Sequence, residues 1–282
     1  EQGGQGLRLI LWGMLKKGGI ADSLAPLVNE IFKNYELLDG GTLWLGAIYF
    51  AFQIYCDFSG YSDIAIGTAK LFGFEIMSNF KFPYFSRNIG EFWRRWHISL
   101  STWFRDYLYI PLGGSQEGKW KSIRNIFIIF LISGFWHGAN WTFIFWGLFH
   151  SILFLPSFIL STNRKYRNSI IAETTFFPTI KEFLEVGTTF ILVTIGWVFF
   201  RSETIWDSFQ YLNLMIFEID APMSMRSNLL YVFILISLDY LFRKDCRLYK
   251  YPKFKTFIYL FQIVLVIIYF FKLNSNFIYF QF

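Results

Sequence analysis

Apolar runs long enough to cross a bilayer alternate with short polar connectors along this sequence. The stretch from Gly40 to Phe58 carries no charge until Asp57, and a spanning helix needs about 20 mostly apolar residues. Residues 123–160 predict one or two further spans, interrupted at GFWHGAN. Later spans are predicted at about 183–200, 228–242 and 256–273. The pattern indicates an all-α, polytopic membrane protein.

Three segments depart from this spanning pattern. Residues 6–33 are helical in pattern but contain KKGG, which predicts one broken or interfacial helix. Residues 61–74 are short, rich in small residues and carry Asp63, which favours a helix packed against protein rather than lipid. Residues 82–115 are too polar to span. Since irregular backbone at membrane depth must be covered by protein or water, they predict re-entrant or interfacial helices.

Composition and charge agree with a membrane location. The chain is 54% hydrophobic, 23% aromatic and 16% charged, more apolar than a soluble domain of 282 residues requires. Its net charge of +6 comes from short basic clusters between apolar runs and not from one helix face, so it does not indicate nucleic-acid binding. Loops 161–182 and 243–255 are basic, and loop 201–227 is mainly acidic. The positive-inside rule therefore predicts a multi-pass protein of the cytoplasmic membrane with its C-terminus outside and Cys246 inside.

The segment from Glu91 to Trp141 concentrates the candidate chemistry. It contains His97 and His137, each directly after a tryptophan, in otherwise apolar surroundings. Imidazoles and charges at membrane depth are costly and often functional. The sequence has no phosphate-binding glycine loop, Gly-x-Ser-x-Gly, His-Glu-x-x-His or Cys-x-x-Cys, and its histidines do not fall at metal-ligand spacing.

A helical wheel over residues 92–108 predicts one aromatic and one polar face. The wheel places His97 at their border, within reach of Ser101, Arg94 and Arg105. A site residue and a structural histidine bound to a backbone carbonyl are both compatible with this position. The polar face consists of Arg95, Ser99, Thr102 and Asp106.

His137 is the stronger candidate, because apolar sequence flanks it on both sides. Gly134 and Gly138 allow close approach of another backbone and could leave room for a substrate. A neutral imidazole is well suited to accept a proton from a hydroxyl group. The alternative is a structural histidine hydrogen-bonded across a helix interface. His150, at the end of an apolar run, is interpreted as an interfacial residue.

Other charged residues have open interpretations. Asp57 and Asp63 flank FSGYS and either cap a following helix or orient a partner residue. Five basic residues could contact the phosphates of a nucleotide-like donor or anchor the protein at the membrane interface. They are Arg94, Arg95, Lys119, Lys121 and Arg124.

Long motifs carry a family resemblance. The runs YCDFSGYSDIAIGTAKLFGF, NFKFPYFSRNIGEFWRRWHISLSTWFRDYLYIPLGGS and SGFWHGANWTFIFWGLFHS closely resemble the membrane-bound O-acyltransferase (MBOAT) family, in its alginate O-acetylation branch. The resemblance implies a helical bundle around a central tunnel, with residues 1–282 forming one membrane domain. The catalytic core is expected at about 40–160 and C-terminal transmembrane helices at about 183–273. The family's earlier helices are absent, which implies a partial chain.

The resemblance also implies roles for individual residues. His137 matches the family's main catalytic histidine, and His97 matches its upstream partner. With His97, Ser101 or Asn140 is expected to supply orientation and oxyanion hydrogen bonds. The remaining supporting residues are expected to be Arg105, Asp106, Asp57, Asp63 and Trp136.

The implied reaction moves an acetyl group from a cytoplasmic thioester, acetyl-CoA, across the membrane to an exported or cell-envelope polysaccharide. No tightly bound cofactor or metal is expected, and an exported partner protein would complete the transfer. Three alternatives stay open. They are D-alanyl transfer to teichoic acid from a carrier-protein thioester, a transporter whose path is lined by Asp57, Asp63 and the histidines, and a non-catalytic scaffold.

Overall fold

A computed structural model describes residues 2–167, 169–218, 226 and 228–244. Every regular element in those residues is helical, as predicted. Two compact units divide the chain: one contains residues 2–79 and the described residues after 220, and the other contains residues 80–218. The last predicted span and Cys246 lie outside the described residues.

The α-helices of the described residues are α1 (Gln2–Met14), α2 (Asp22–Lys33), α3 (Gly40–Leu71), α4 (Ile89–Arg95), α5 (Ile98–Phe104), α6 (Lys119–His137), α7 (Trp141–Ile159), α8 (Ile180–Arg201), α9 (Ile205–Phe217) and α10 (Leu229–Phe242).

In the first unit, α1 and α2 are joined by a π-helical segment, Leu15–Ala21. The break predicted at KKGG is therefore a local widening of a helix that stays helical throughout. Both lysines of this segment pair with carboxylates of α3. Lys16 Nζ lies 2.5 Å from Asp63 Oδ2, and Lys17 Nζ lies 2.7 Å from Asp57 Oδ1.

Helix α3 is one helix of 32 residues, where the sequence predicted a span followed by a separate short helix. Its N-cap is Asp39, whose carboxylate accepts a 2.8 Å hydrogen bond from the Thr42 N–H. Asp57 and Asp63 lie inside α3, so the interpretation of either as a helix cap is wrong. The helix continues through FSGYS because α1 packs directly on it. A Cβ at Gly60 would lie 2.7 Å from the carbonyl oxygen of Gly13.

The second unit begins with two short α-helices, α4 and α5, within residues 82–115, where re-entrant or interfacial helices were predicted, but the helical wheel treated residues 92–108 as one continuous helix. The break falls at His97, whose φ of 45° and ψ of 56° lie in the left-handed region. After α5 the chain continues as a π-helical segment, Arg105–Tyr109. The wheel over the whole range was therefore wrong beyond Trp96, because a helical wheel assumes a constant rotation per residue.

Helices α6 and α7 form a hairpin whose connection lies at the predicted interruption, GFWHGAN. Helix α8 agrees with the span predicted at about 183–200 and begins with a capping box of Thr179 and Glu182. Helix α10 agrees with the segment predicted at about 228–242. The region interpreted as loop 201–227 contains helix α9, which was not predicted. A capping box formed by Thr204 and Asp207 starts this helix.

Two of the described helices are both long and apolar enough to cross a membrane, namely α7 and α8. Helix α10 is apolar but has only 14 residues. Helix α3, predicted to contain a strong span, is largely buried inside the first unit. Length and hydropathy therefore support part of the predicted polytopic arrangement.

Candidate active site

His97 occupies the junction between α4 and α5. The N-cap of helix α4 is Asn88, whose side-chain oxygen accepts a 2.8 Å hydrogen bond from the Glu91 N–H. The carbonyl of His97 accepts a 3.0 Å hydrogen bond from the Ser101 N–H, so His97 is the N-terminal flanking residue of α5. Its left-handed backbone turns the chain between the two helices, and the His97 side chain reaches a cavity at this point.

A buried ion-pair network fixes α4 in place. The Glu91 side chain, 1% exposed, accepts hydrogen bonds from the guanidinium groups of Arg87 and Arg95. Arg87 Nη1 also lies 3.1 Å from Glu182 Oε1 at the start of α8. Arg87 and Arg95 both donate to the carbonyl oxygen of Ser169. The network satisfies the buried carboxylate and ties α4, and with it the turn at His97, to α8.

His137 is the last residue of α6 and lies against aromatic rings. Its ring centroid is 5.3 Å from that of Trp146 and 5.0 Å from that of Phe200. Gly134 abuts the backbone carbonyl of Phe143 on α7, which confirms the predicted close approach. At Gly138 a Cβ would lie 2.6 Å from the Phe143 ring. The space that Gly138 leaves is therefore filled by Phe143, not available to a substrate.

His97 and His137 line one cavity of about 260 Å³ in the second unit. Trp136 contacts both imidazoles, with its ring centroid 5.0 Å from that of His137 and 6.2 Å from that of His97. Ser101 and Arg105, which the sequence placed within reach of His97, line the same cavity. Most of the remaining wall is apolar or aromatic and includes Trp93, Trp96, Leu100, Phe104, Ile126, Ile129, Phe130, Phe154 and Phe158.

Four polar residues of the cavity wall were missed by sequence reasoning. Ser133 lies one turn before His137 on α6, and the periodicity of that helix could have identified it. Tyr109, Asn163 and Arg164 also line the cavity. Asn163 and Arg164 come from a segment interpreted as a cytoplasmic loop, and no local signal indicates that they approach the histidines.

Other predicted site residues lie elsewhere. The Asn140 side chain accepts a hydrogen bond from the Thr142 N–H and donates one to the Glu203 carbonyl, so it caps α7 and tethers its turn. Asp106 is exposed and forms a two-point ion pair with Arg105. Asp57 and Asp63 belong to the first unit, where each pairs with a lysine.

None of the five basic residues proposed as phosphate contacts lines the cavity. Arg95 pairs with Glu91, and Arg94 donates to the backbone carbonyl of Asn163, so both serve the packing of α4. Lys121 pairs with Glu117 on the protein surface. Among the cationic side chains described, Arg105 and Arg164 line the cavity instead.

His97 is electrically neutral in these surroundings. Burial lowers the pKa of its imidazole from 6.5 to about 4. His97 lies outside both candidate spans. Its Nδ1 is 3.4 Å from Ser99 Oγ. A neutral imidazole offers one donor and one acceptor, so at neutral pH His97 can donate a hydrogen bond to an oxyanion without carrying a charge.

His150 differs most from its interpretation as an interfacial residue. It is 0% exposed, in the interior of the second unit. Its ring contacts the aromatic side chains of Trp93 and Trp146, each at a centroid distance of 5.0 Å. In the residues that the structure describes, no group of three or more His, Cys, Asp or Glu side chains is arranged to hold a metal ion.

Comparisons with known proteins identify the family. The sequence model of MBOAT, the membrane-bound O-acyltransferase family, matches residues 42–166. The chain is 45% identical over 201 residues to "Probable alginate O-acetylase AlgI" of Pseudomonas syringae pv. tomato, an alignment covering 71% of this chain and 36% of that protein. It is 40% identical over 211 residues to the "Peptidoglycan O-acetyltransferase" of Helicobacter pylori, covering 75% and 38%.

A third relative is more distant. The "Teichoic acid D-alanyltransferase" of Streptococcus thermophilus is 35% identical over 159 residues, which covers 52% of this chain and 38% of that protein. The chain spans less than two fifths of the length of these three relatives. The matched family segment contains both histidines and every residue that lines their cavity. Residues 42–166 therefore belong to the membrane-bound O-acyltransferase family, and the chain is more extensively similar to the two relatives named for O-acetylation than to the one named for D-alanyl transfer.

Proposed function

We propose that this chain carries the catalytic centre of a membrane O-acetyltransferase. The observation that supports the proposal best is that His97 and His137 line one largely apolar cavity, with Trp136 in contact with both rings. A water-poor cavity strengthens hydrogen bonds to developing charge, which is what acyl transfer requires. A thioester donor is already activated, so the protein needs mainly a base and oxyanion donors.

The proposed reaction assigns one role to each histidine. His137 accepts the proton of the acceptor hydroxyl as its oxygen attacks the thioester carbonyl. The carbonyl oxygen becomes an oxyanion, which accepts hydrogen bonds from neutral His97 and from the Ser101 hydroxyl. When the tetrahedral intermediate collapses, the C–S bond breaks and protonated His137 returns its proton to the leaving thiolate. An ester and a free thiol result, and His137 is neutral again.

The two cavity arginines favour an anionic donor. Arg105 and Arg164 line the cavity together with Tyr109 and Asn163. A guanidinium group binds phosphate through paired, charge-assisted hydrogen bonds. Because the Arg105 guanidinium is already paired with Asp106, we propose acetyl-CoA as the donor with its phosphates at Arg164 and its thioester at the histidines.

The names of the relatives favour a polysaccharide acceptor. The proteins named for alginate and for peptidoglycan O-acetylation match 71% and 75% of this chain, whereas the protein named for D-alanyl transfer matches 52%. O-acetylation of an exported or cell-envelope polysaccharide is therefore proposed ahead of D-alanylation. We place the enzyme in the cytoplasmic membrane with its C-terminus outside, and we expect an exported partner protein to complete the transfer.

The decisive experiment replaces the proposed base. The chain is purified in detergent, and transfer of radiolabelled acetyl groups from acetyl-CoA to oligosaccharide acceptors is measured. His137→Ala should abolish transfer while expression, membrane insertion and thermal stability are retained. Trp141→Leu, an exposed substitution beyond the α6–α7 turn, serves as the control. Undiminished transfer by His137→Ala would refute the proposal.

A further inference from the structure

The third histidine of the chain is buried in an aromatic cage with its polar atoms unsatisfied. His150 is 0% exposed, and neither of its ring nitrogens has a hydrogen-bond partner among the described residues. The indole nitrogens of Trp93 and Trp146 are likewise buried without a partner there. The rings around His150 are those of Phe92, Trp93, Phe130, Trp146 and Phe149.

An imidazole in this cage costs stability compared with a phenylalanine. Phenylalanine would fill a similar volume and bring no polar atoms, whereas buried donors and acceptors without partners lose their hydration. Helix α8 also preserves space for the ring, since a Cβ at Gly196 would lie 2.7 Å from His150 Nε2. Groups that are unfavourable for stability and yet closely accommodated are candidates for a functional role.

The cage connects His150 to the proposed base through one ring. Trp146 contacts His150 at a centroid distance of 5.0 Å and His137 at 5.3 Å, the latter edge-on at 88°. Trp146 itself is 1% exposed and cannot shift without disturbing both neighbours.

We propose that His150 is a positioning residue, which holds Trp146 and through it sets the orientation of the His137 imidazole. The role in acyl transfer rests on the proposed function above. His150 touches no substrate, since its ring is enclosed by aromatic side chains and does not line the cavity. Substitution of His150 should therefore change kcat and leave KM for the donor unchanged.

The first test is His150→Phe, assayed with acetyl-CoA as donor. The variant should be at least as thermally stable as the wild type, because two unsatisfied buried nitrogens are removed. Its kcat should fall between about tenfold and 100-fold, as expected for a misplaced catalytic group, with KM for acetyl-CoA unchanged. A merely structural histidine predicts unchanged kcat at equal or higher stability, and that result would overturn the proposal.

A second pair of variants moves the ring without removing it. Gly196→Ala places a methyl group against His150 Nε2 and should lower kcat in the same way. Gly187→Ala is the matched control on α8, because a Cβ there would meet no atom within 4 Å. Equal kcat values for the two variants would contradict the proposed role of His150.

A spectroscopic measurement separates this inference from the proposed function. The sequence has only three histidines, so histidine-labelled protein in micelles gives three sets of imidazole signals, which His97→Gln, His137→Gln and His150→Phe assign. The His150→Phe substitution should shift the His137 signals, while Gly187→Ala should not. Unshifted His137 signals would refute positioning even if acyl transfer occurs. A wild-type chain without transfer activity would refute the proposed function, and these shifts would then decide the positioning role by themselves.

Discussion

The imidazole of His97 and the indole of Trp136 meet edge to face, with ring centroids 6.2 Å apart and planes at 68°. The same indole lies 5.0 Å from the imidazole of His137, the next residue along the chain. A side chain between two proposed catalytic rings restrains both, although it is 51% exposed. Trp136 was predicted to support the site, and these contacts give that prediction a geometric basis.

Trp136→Leu should therefore lower kcat about tenfold, since removing the flat ring releases both imidazoles. Trp136→Phe, which keeps an aromatic ring, should retain most of the activity. Trp141→Leu is the matched control, because its side chain is 71% exposed beyond the turn. The measurement is acetyl transfer at saturating acetyl-CoA. Equal activity of Trp136→Leu and Trp141→Leu would contradict a supporting role.

Arg164 should recognise the charged part of the donor. Arg164→Gln is expected to raise KM for acetyl-CoA about tenfold, because a charged hydrogen bond contributes roughly 1.5–3 kcal/mol. The thioester S-acetyl-N-acetylcysteamine carries no phosphate, so its kcat/KM should not change. Arg124→Gln is the control, since Arg124 is exposed and does not line the cavity. A similar loss with both donors would show that Arg164 acts on the fold and not on phosphate.

Glu91 should be important for stability. Glu91→Gln removes the carboxylate that pairs with Arg95 and one of the two carboxylates that pair with the buried guanidinium of Arg87, which should lower the free energy of unfolding by about 3 kcal/mol. Glu117→Gln is the control, because its pair with Lys121 is exposed and should contribute about 0–1 kcal/mol. Thermal unfolding in detergent compares the two. Equal melting temperatures would contradict the role of the network in holding α4.

Much of the helical architecture could be predicted from hydropathy, and the errors have identifiable physical causes. The hairpin around GFWHGAN and the helix at about 183–200 were confirmed, because long apolar runs and glycine interruptions are strong local signals. The break at His97 was missed, since a single left-handed residue leaves no trace in the periodicity. Helix α3 was divided wrongly at FSGYS, where packing against α1 overrides the local signal.

The candidate site was less accessible to sequence reasoning than the helices. Imidazoles in apolar sequence identified His97 and His137, but only the family resemblance assigned them to one site. Arg164 lines the cavity only because the loop after α7 folds back towards it. His150 is buried because four helices, α4, α6, α7 and α8, meet around its ring. These are tertiary relationships, which single-sequence patterns do not contain.

The contact between α1 and α3 gives a prediction for the first unit. A Cβ at Gly13 would lie 2.9 Å from the backbone nitrogen of Ile64, which cannot move aside. Gly13→Ala should therefore destabilise the protein by about 1–3 kcal/mol, as overpacking usually does. Gly4→Ala on the same helix is the control, because its Cβ would meet no atom within 4 Å. If both variants unfold at the same temperature, the direct backbone contact is refuted.

His97 gives a pH-dependent prediction whose sign follows from its burial. The pKa of the imidazole is about 4 in the folded protein and 6.5 in an exposed chain. Between these values the unfolded chain binds a proton that the folded protein does not, so stability falls as the pH drops from 6.5 towards 4. His97→Gln removes this contribution. For each pH unit that the pH falls across this window, the free energy of unfolding of the variant should therefore rise by about 1 kcal/mol relative to that of the wild type.

Melting temperatures of the wild type and His97→Gln, measured in parallel from pH 8 to pH 4.5, test this expectation. Titration of carboxylates and of the other histidines affects both proteins, so only the difference between the two curves reports on His97. That difference should be constant above about pH 6.5 and should move in favour of His97→Gln below it. A constant difference over the whole range would mean that His97 titrates equally in the folded and unfolded states. That result would contradict the proposal that burial keeps His97 neutral as a hydrogen-bond donor to the oxyanion.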